Sequence, residues 1–555
     1  MSGPSQRPLA VPARRALLPL LAGALALVAG HPATTLADEA IPRPAAAATL
    51  TRMPSAPVIT NFRFVGNTVF SDLELSELLA PWLNRKATLG ELEDARTTLT
   101  LHYVNAGYVN SGALLDAPPD ASGEVTFRIV EGRLTRINID GARHLRAGYY
   151  RSRIARDSGA ALNLPRLEKQ LMFLKEDPNV TRINAELKPG AVRGTADLDV
   201  KVAEKSPWHL AFQIANDRPA SVGAESIEAI ASHSSVLGWG DALEFRYGIA
   251  QRTQNGAEWS DVRNLSAAYT IPITPHDTTL KFSYGRHDFA VIEEPFSTLD
   301  IQSESVSYSV TLRQPLYRTM EREIAIGLTG DWRQSKSFLF GLPFNFSPGA
   351  VNGETTVSVL RFFQEWTERD QMQVLALRSS INFGLEVLDA TRNGTARDSK
   401  FVSWQGQAQY VRRLDARGDQ LVLGSSFQAS DGPLLSLEQF SIGGANTVRG
   451  LRENQIVRDI GWIGSLEFRV PVWSTTTGQP RLQLAPFFDY GIGWNLGAST
   501  PKQSDVASAG VGLLFNPCSH VSGRLYWGHA FRDFNNGSRD LQDYGLHFSL
   551  TARVF

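Results

Sequence analysis

The sequence has almost no cysteine and almost no net charge. Cys518 is the single cysteine in 555 residues, which excludes a disulfide framework within the chain and a cysteine-based zinc cluster. Lysine and arginine total 55 against 56 aspartate and glutamate residues, so the formal net charge is -1. That balance provides no bulk attraction to nucleic acid, and we predict no nucleic-acid partner.

Motifs for catalysis and metal binding are also missing from the sequence. The ten histidines are scattered, without the spacing of metal ligands. There is no Gly-x-Ser-x-Gly elbow and no glycine loop of the kind that cradles phosphate. We therefore predict no enzymatic activity, no catalytic residues, no metal and no cofactor, and we expect any transport to proceed without nucleotide hydrolysis.

No stretch beyond the N-terminal region is apolar enough for a transmembrane helix, so a membrane location would require a β-barrel. The N-terminal region has three arginines, an apolar run at 16–29, and then small residues with a candidate cleavage site, Thr-Leu-Ala, at 35–37. This pattern predicts a secretory signal over 1–37, with a disordered Ala/Pro-rich tail as the alternative. Residues 38–57 are rich in alanine and proline and are interpreted as a linker or a short helix.

Two successive units then share the order strand, helix, helix, strand, strand. They cover residues 58–132 and 133–205. Capping residues mark the helix starts, because Ser71 and Thr88 each precede a glutamate by three positions and Asn163 precedes a third helical pattern. The repeated βααββ order and the unit length predict two small α+β domains.

From residue 206 onward, helical periodicity gives way to about ten-residue alternating segments separated by turn residues. Sixteen segments with alternately short and long connections predict a 16-stranded antiparallel transmembrane β-barrel over 206–555, so the fold class is mainly β. A soluble sandwich or propeller is the alternative, and it does not explain the alternation of loop lengths. The predicted strands are 208–216, 222–234, 241–251, 262–272, 278–288, 302–313, 322–334, 354–366, 372–386, 400–413, 419–430, 460–471, 481–493, 506–515, 520–530 and 543–554.

Three phrases in the α+β units resemble those of POTRA domains, which bind extended polypeptide by strand addition. They are 64–67 (Phe-Val-Gly-Asn), 129–132 (Ile-Val-Glu-Gly) and 187–190 (Leu-Lys-Pro-Gly). Physical chemistry favours such a role independently, since a small sheet with an open edge accepts another strand through main-chain hydrogen bonds. The alternative is that the two POTRA-like domains are spacers.

The chain as a whole resembles the outer-membrane transporters of two-partner secretion (TpsB), of the haemolysin-activator type, within the superfamily that includes BamA. Besides the POTRA-like domains and the strand count, the resemblance rests on three motifs. They are 447–451 (Thr-Val-Arg-Gly-Leu), 487–491 (Phe-Phe-Asp-Tyr-Gly) and 541–548 (Leu-Gln-Asp-Tyr-Gly-Leu-His-Phe).

The resemblance implies that the sixth outer connection, 431–459, folds back into the barrel lumen, where Arg449 contacts Asp489. A charged side chain in a protein-walled lumen needs a partner, and arginine offers a planar fork that can bind a carboxylate through two hydrogen bonds. We expect this pair to fix the loop in one conformation; the alternative is that both side chains are solvated and unpaired. The remaining predicted motif residues are Gly443, Gly444, Val448, Gly450, Leu451, Phe487 and Gly491, with Leu451 standing where the family has an aromatic residue.

The function implied by the resemblance is an outer-membrane translocation pore whose N-terminal domains lie in the periplasm. The implied partners are a cognate secreted exoprotein with an N-terminal secretion domain, such as an adhesin or haemolysin, outer-membrane lipid, and the barrel-assembly machinery. That machinery reads the C-terminal strand, here with Phe548 and Phe555, although Phe555 falls one residue out of step with the alternation.

Two alternative functions remain open, and so does the structure of residues 38–57. A BamA-like insertase is the first alternative to export, and a passive porin or structural adhesin is the second. The family sometimes places a helix in the lumen, so residues 38–57 could form such a plug.

Overall fold

The structure is a computed structural model, and it describes residues 58–116, 122–156, 159, 161–253, 256–290, 299–394, 397–497, 503–534, 536 and 540–555. The predicted signal (1–37) and the linker or plug helix (38–57) lie outside the described residues. None of the helices in the described part of the chain is both long and apolar enough to cross a membrane.

The first α+β unit is a three-stranded sheet with two helices packed on it. Thr88 and Glu91 form a reciprocal capping box at the start of its longer helix. The box predicted at Ser71 is only half formed: Ser71 accepts the Glu74 N–H, but the Glu74 carboxylate lies 3.4 Å from His102 instead. The elements are β1 (Asn61–Val65), α1 (Asp72–Leu78), a 3₁₀ turn (Ala80–Trp82), α2 (Leu89–Asn105), β2 (Gly112–Leu115) and β3 (Glu124–Val130).

The second unit repeats this arrangement. Asn163 caps the second helix, since its side-chain oxygen accepts the Arg166 N–H at 3.2 Å. In both sheets the last strand is central, parallel to the first strand and antiparallel to the second, so the first two strands are edges. The elements are β4 (Arg133–Asp140), α3 (Ala147–Ala155), α4 (Leu164–Lys175), β5 (Val180–Pro189) and β6 (Thr195–Glu204).

The rest of the chain forms a closed antiparallel barrel of sixteen long strands, which confirms the predicted fold. The last strand closes the barrel by pairing Ser549–Arg553 with Ala211–Ala215 of the first. The strands are β7 (Trp208–Ala215), β8 (Ser226–His233), β9 (Ala242–Thr253), β10 (Gly256–Pro272), β11 (Thr279–Ala290), β12 (Ile301–Arg318), β13 (Arg322–Leu339), the two-residue β14 (Leu342–Pro343) beside β13, β15 (Glu354–Arg369), β16 (Gln373–Leu385), β17 (Val402–Arg413), β18 (Gln420–Ser430), β21 (Ile460–Ser474), β22 (Pro480–Trp494), β23 (Gln503–Cys518), β24 (Val521–Ala530) and β25 (Leu546–Arg553).

Side chains alternate between the two faces of the barrel wall. In β12, Tyr308, Val310 and Leu312 are exposed on the outer face, whereas Thr311 and Arg313 point inward. The wall therefore has an apolar outer face and a polar lumen, which is the arrangement of a transmembrane barrel.

The connection between β18 and β21 returns to the inner face of the wall. It contains a 3₁₀ turn (Ser436–Glu438) and a short hairpin of β19 (Phe440–Ile442) and β20 (Ile456–Arg458). Residues 443–455 form the end of this hairpin, and we call them the loop tip.

Candidate functional site

Glycines allow the loop tip to turn and to approach the barrel wall closely. Gly443 and Gly444 have φ angles of 114° and 111°, in the region that favours glycine. A Cβ atom on Gly450 would lie 2.8 Å from the backbone of Gly528 in β24. A Cβ atom on Gly491 of β22 would lie 2.5 Å from Ile442, so this motif glycine makes room for the loop on the wall side.

Arg449 and Asp489 meet, as the resemblance implied. The Arg449 Nε and Nη2 atoms donate to Asp489 Oδ2 and Oδ1, both at 2.8 Å, and the Arg449 main-chain N–H donates to Oδ2 at 3.0 Å. The Asp489 side chain is fully buried and the Arg449 side chain is 7% exposed. The alternative of two solvated, unpaired side chains is therefore wrong for this structure, and we call the pair the latch.

The wall adds further partners of Arg449, and among them sequence reasoning missed Glu467, Ser465 and Tyr526. Glu467 of β21 forms an ion pair with Arg449, and Ser465 accepts from Arg449 Nη2 at 3.1 Å while donating to Asp489 at 2.7 Å. The Arg449 guanidinium also lies 3.7 Å from the ring centroid of Phe487 and 4.7 Å from that of Tyr526. The alternation of β21 could have indicated an inward Glu467, but only the strand register places it beside the loop.

Leu451 belongs to an apolar cluster rather than to an aromatic stack. It is 4% exposed and packs with Val448 and Ile442 of the loop and with Ile463 and Val506 of the wall. The aromatic surface on Arg449 comes instead from the wall, so leucine at position 451 is compatible with the latch.

Three further charged residues of the loop form ion pairs, one in the loop tip and two at the base of the loop. Arg452 binds Asp543, just before the last strand, through Nη2 to Oδ2 at 2.6 Å. At the base of the loop, the buried Glu438 is paired with Arg333 and Arg361 of β13 and β15. Asp459, the last residue of the loop, is paired with Arg397 at 2.8 Å. Sequence reasoning identified none of these pairs, although Asp543 lies in the 541–548 motif.

The loop tip also contacts the seam between the first and last barrel strands. The buried Gln542 donates to the main-chain oxygens of Asn216 and Arg218, both at 2.7 Å, and accepts the Glu453 N–H at 3.0 Å. The Asn216 side chain closes the outer end of the seam through the main-chain N–H of Phe548 and the carbonyl of Leu546. Gln542 therefore joins the loop to the seam.

The two predicted C-terminal aromatic residues lie away from the latch. Phe548 is on β25, opposite Leu525 of β24, whereas Phe555 follows the end of β25 and is 56% exposed. Their recognition by assembly machinery stays a prediction.

In the first POTRA-like unit, Glu131 ties the turn after β1 to the end of β3. Its carboxylate accepts the N–H groups of Thr68 and Val69 at 2.6 and 2.8 Å, the Thr68 hydroxyl, and the Tyr103 hydroxyl at 3.1 Å. Burial alone would raise the pKa of Glu131, but these hydrogen bonds outweigh burial and lower its pKa. Glu204 repeats the arrangement in the second unit with the N–H groups of Arg143 and His144.

The lumen contains a cavity of about 610 Å³ between the loop tip and the wall formed by β15 to β18 and β21. Arg449, Glu467 and Arg469 line one side of it, and Glu365 and Arg378 line the other. No cluster of side chains suited to a metal ion occurs in the described part of the chain.

Two family models match the chain. The model of the haemolysin secretion/activation protein ShlB/FhaC/HecB matches residues 194–515, and the ShlB-type POTRA domain matches residues 58–132. The outer membrane transporter CdiB of Escherichia coli is 24% identical over 412 residues, which are 70% of this chain and 65% of that protein. CdiB of Dickeya dadantii is 22% identical over 397 residues, which are 71% of this chain and 69% of that protein. The chain thus spans about two thirds of the length of the curated relatives it matches.

Solved structures share the fold. CdiB from Escherichia coli matches with a TM-score of 0.67 at 19% identity, over 92% of each chain. BamA from Haemophilus ducreyi lacking POTRA domains 1-3 matches with a TM-score of 0.54 at 13% identity, over 90% of this chain and 100% of that one.

Proposed function

The chain belongs to the haemolysin secretion/activation family of ShlB, FhaC and HecB type, and from this membership we propose that it is the translocation pore of a two-partner secretion system. The family is one of outer-membrane transporters with periplasmic POTRA domains, and the protein is located accordingly. Its passenger is an unfolded exoprotein of adhesin or haemolysin type with an N-terminal secretion domain.

One observation carries the proposal: a loop from the outer side is held against the inner wall by a buried arginine that is paired with two carboxylates. Burying a guanidinium and two carboxylates is costly, and such groups are retained more plausibly for conformational specificity than for stability. A loop fixed in this way occupies the lumen at rest and moves, or guides the passenger, during export.

The sheets of the POTRA-like units supply the binding step. Each has two edge strands, β1 and β2 in the first unit and β4 and β5 in the second. An extended segment of the passenger can pair with such an edge through main-chain hydrogen bonds, with little demand on its own sequence. Export then draws on folding of the passenger outside the cell rather than on nucleotide hydrolysis.

A deletion of this chain tests the proposal against the insertase alternative. Loss of one large secreted protein, with other outer-membrane barrels at normal abundance, is the expected result. Loss of many barrels would instead identify a BamA-like insertase. Removal of residues 58–205 separates export from a passive pore, because export requires these units and passive permeation does not.

A further inference from the structure

A continuous row of ion pairs runs along the inner wall from the periplasmic end of the barrel to the lumen cavity. It contains three arginines and three carboxylates in alternating order, so its formal charge cancels. We call it the charge ladder. Its members, from the periplasmic end, are Asp277, Arg318, Glu323, Arg313, Glu365 and Arg378.

Two carboxylates of the charge ladder, Glu323 and Glu365, are each shared between two ladder arginines. Arg318 Nε lies 3.2 Å from one carboxylate oxygen of Glu323, and Arg313 Nη2 lies 2.5 Å from the other. Arg313 also donates through Nε to Glu365 at 2.8 Å, and Glu365 is paired in turn with Arg378.

Two small residues allow the ladder to cross an intervening strand. Arg313 lies on β12 and Glu365 on β15, with β13 between them. The inward positions of β13 at this level are Ala325, opposite Glu365, and Gly327, opposite Arg313. A Cβ atom on Gly327 would lie 2.1 Å from the ring of Phe363. Gly327 therefore makes room for the Phe363 ring, and Ala325 adds only a methyl group beside Glu365.

The lower end of the ladder is joined to the second POTRA-like unit. Asp277, in the turn between β10 and β11, accepts from Arg318 at 2.7 Å and from Arg153 of α3 at 3.0 Å. Arg156 of the same helix lies 3.6 Å from the Asp277 carboxylate. The helix and the wall thus form one polar surface at the barrel entrance.

Two cavities border the ladder. One of about 380 Å³ lies at the entrance and is lined by Arg153, Arg318, Glu323 and Arg313. The lumen cavity of about 610 Å³ is lined by Glu365 and Arg378. The latch holds the loop tip against β21, β22 and β24, on the side of the lumen opposite the ladder. The loop tip therefore does not cover the periplasmic end of the ladder.

We propose that the charge ladder is the track along which an extended polypeptide enters the lumen from the second POTRA-like unit. This inference rests on the proposed export function, and it specifies the part of the barrel wall that the passenger follows. Arginine has five N–H donors and each ladder arginine uses only some of them on carboxylates, so the rest can bind main-chain carbonyl groups of any sequence. Because the ladder is charge-balanced, it attracts neither sign of charge strongly.

The test compares two glutamines on opposite walls. Gln407 lies beside Arg378 in the strand register and lines the lumen cavity. Gln213 lies on β7 beside the seam and faces inward, since its neighbours Phe212 and Ile214 are exposed on the outer face. Single cysteines, Gln407→Cys or Gln213→Cys, are introduced into a Cys518→Ser background in the full chain. The passenger is the protein lost from the medium on deletion, stalled by a fused disulfide-bonded domain, with single cysteines at successive positions.

Disulfide cross-linking of the stalled passenger to position 407, at least tenfold above that to position 213, is the expected result. Equal cross-linking, or cross-linking at 213 only, would overturn the inference while leaving export through the barrel intact. Cross-linking at neither position, with secretion normal in both cysteine variants, would contradict both the ladder and passage through this lumen. If deletion of this chain removed no protein from the medium, that result would contradict the proposed function itself.

Discussion

At the scale of single residues, Arg449 is the most highly connected group of the site. Its main-chain and side-chain nitrogens donate hydrogen bonds to Asp489, Glu467 and Ser465. The face of its guanidinium lies over the ring of Phe487. Lysine could supply the charge, but it has neither the planar fork nor the flat face that stacks on an aromatic ring. We therefore expect arginine to be required here rather than any cation.

A double-mutant cycle tests whether Arg449 and Asp489 act as one unit. We expect the combination of Arg449→Ala and Asp489→Ala to reduce secretion little more than either change alone, because each single change already breaks the pair. The measurement is the amount of passenger in the medium. Arg532, which donates to the main-chain oxygen of Asp505, is the arginine control, and its combination with Asp489→Ala should be additive. Additive losses in the Arg449 cycle would argue against direct pairing.

Glu131 gives the first POTRA-like unit a defined dependence on pH. Its lowered folded pKa means that the ionised carboxylate stabilises the fold. This stability is fully present above the ordinary glutamate pKa of about 4.3 and is lost as the pH falls through the lowered value. We expect hydrogen-exchange protection of β1 and the turn after it to fall with pH in the native chain.

The Glu131→Gln variant should have lower protection at neutral pH and lack this acid-dependent part. Glu77→Gln, at an exposed position on α1, is the matched control and should behave like the native chain. The same acid dependence in Glu131→Gln as in the native chain would refute the assignment.

At the scale of elements, the loop is held at both its tip and its base, and the sequence predicted only the tip. The strand count placed 431–459 in the correct connection, and the resemblance supplied the pairing of Arg449 with Asp489. The anchors at Glu438 and Asp459 could not be predicted, because irregular segments have no periodicity from which their contacts can be derived. Leu451 shows the same limit, since its apolar neighbours come from both the loop and two wall strands.

The hydrogen bonds of Gln542 predict that the loop tip and the seam are physically coupled. The Gln542→Ala change removes the hydrogen-bond partner of two buried carbonyls and one N–H. Each of these groups that stays unsatisfied lowers the free energy of unfolding by about 1–3 kcal/mol. We expect faster hydrogen exchange of β7 and β25 near Asn216 and Phe548, with unchanged exchange in β15 and β16. Gln409→Ala, an exposed glutamine on the inner wall, is the control and should leave the seam unchanged. Native protection of the seam in Gln542→Ala would show that Gln542 does not hold it.

At the scale of the whole molecule, the period of two and the alternation of loop lengths were sufficient to predict the closed sixteen-stranded barrel. Capping residues such as Thr88 and Asn163 similarly marked the helices of the α+β units. The charge ladder was beyond sequence reasoning, since the contact of Arg313 with Glu365 depends on the register of three strands. Long-range pairs of this kind follow from barrel closure rather than from local pattern.

Secretion by an Arg449→Ala variant tests the central claim most directly. The change leaves Asp489 and Glu467 buried without their common cation, and breaking a buried pair in this way typically costs about 3–5 kcal/mol. We predict a loss of secreted passenger on the order of tenfold or more, with Arg449→Lys intermediate because it keeps only the charge. Abundance and heat-modifiable migration of the barrel, measured in the same cells, should be those of the native chain. Native secretion by an assembled Arg449→Ala barrel would contradict the role of the latch in export.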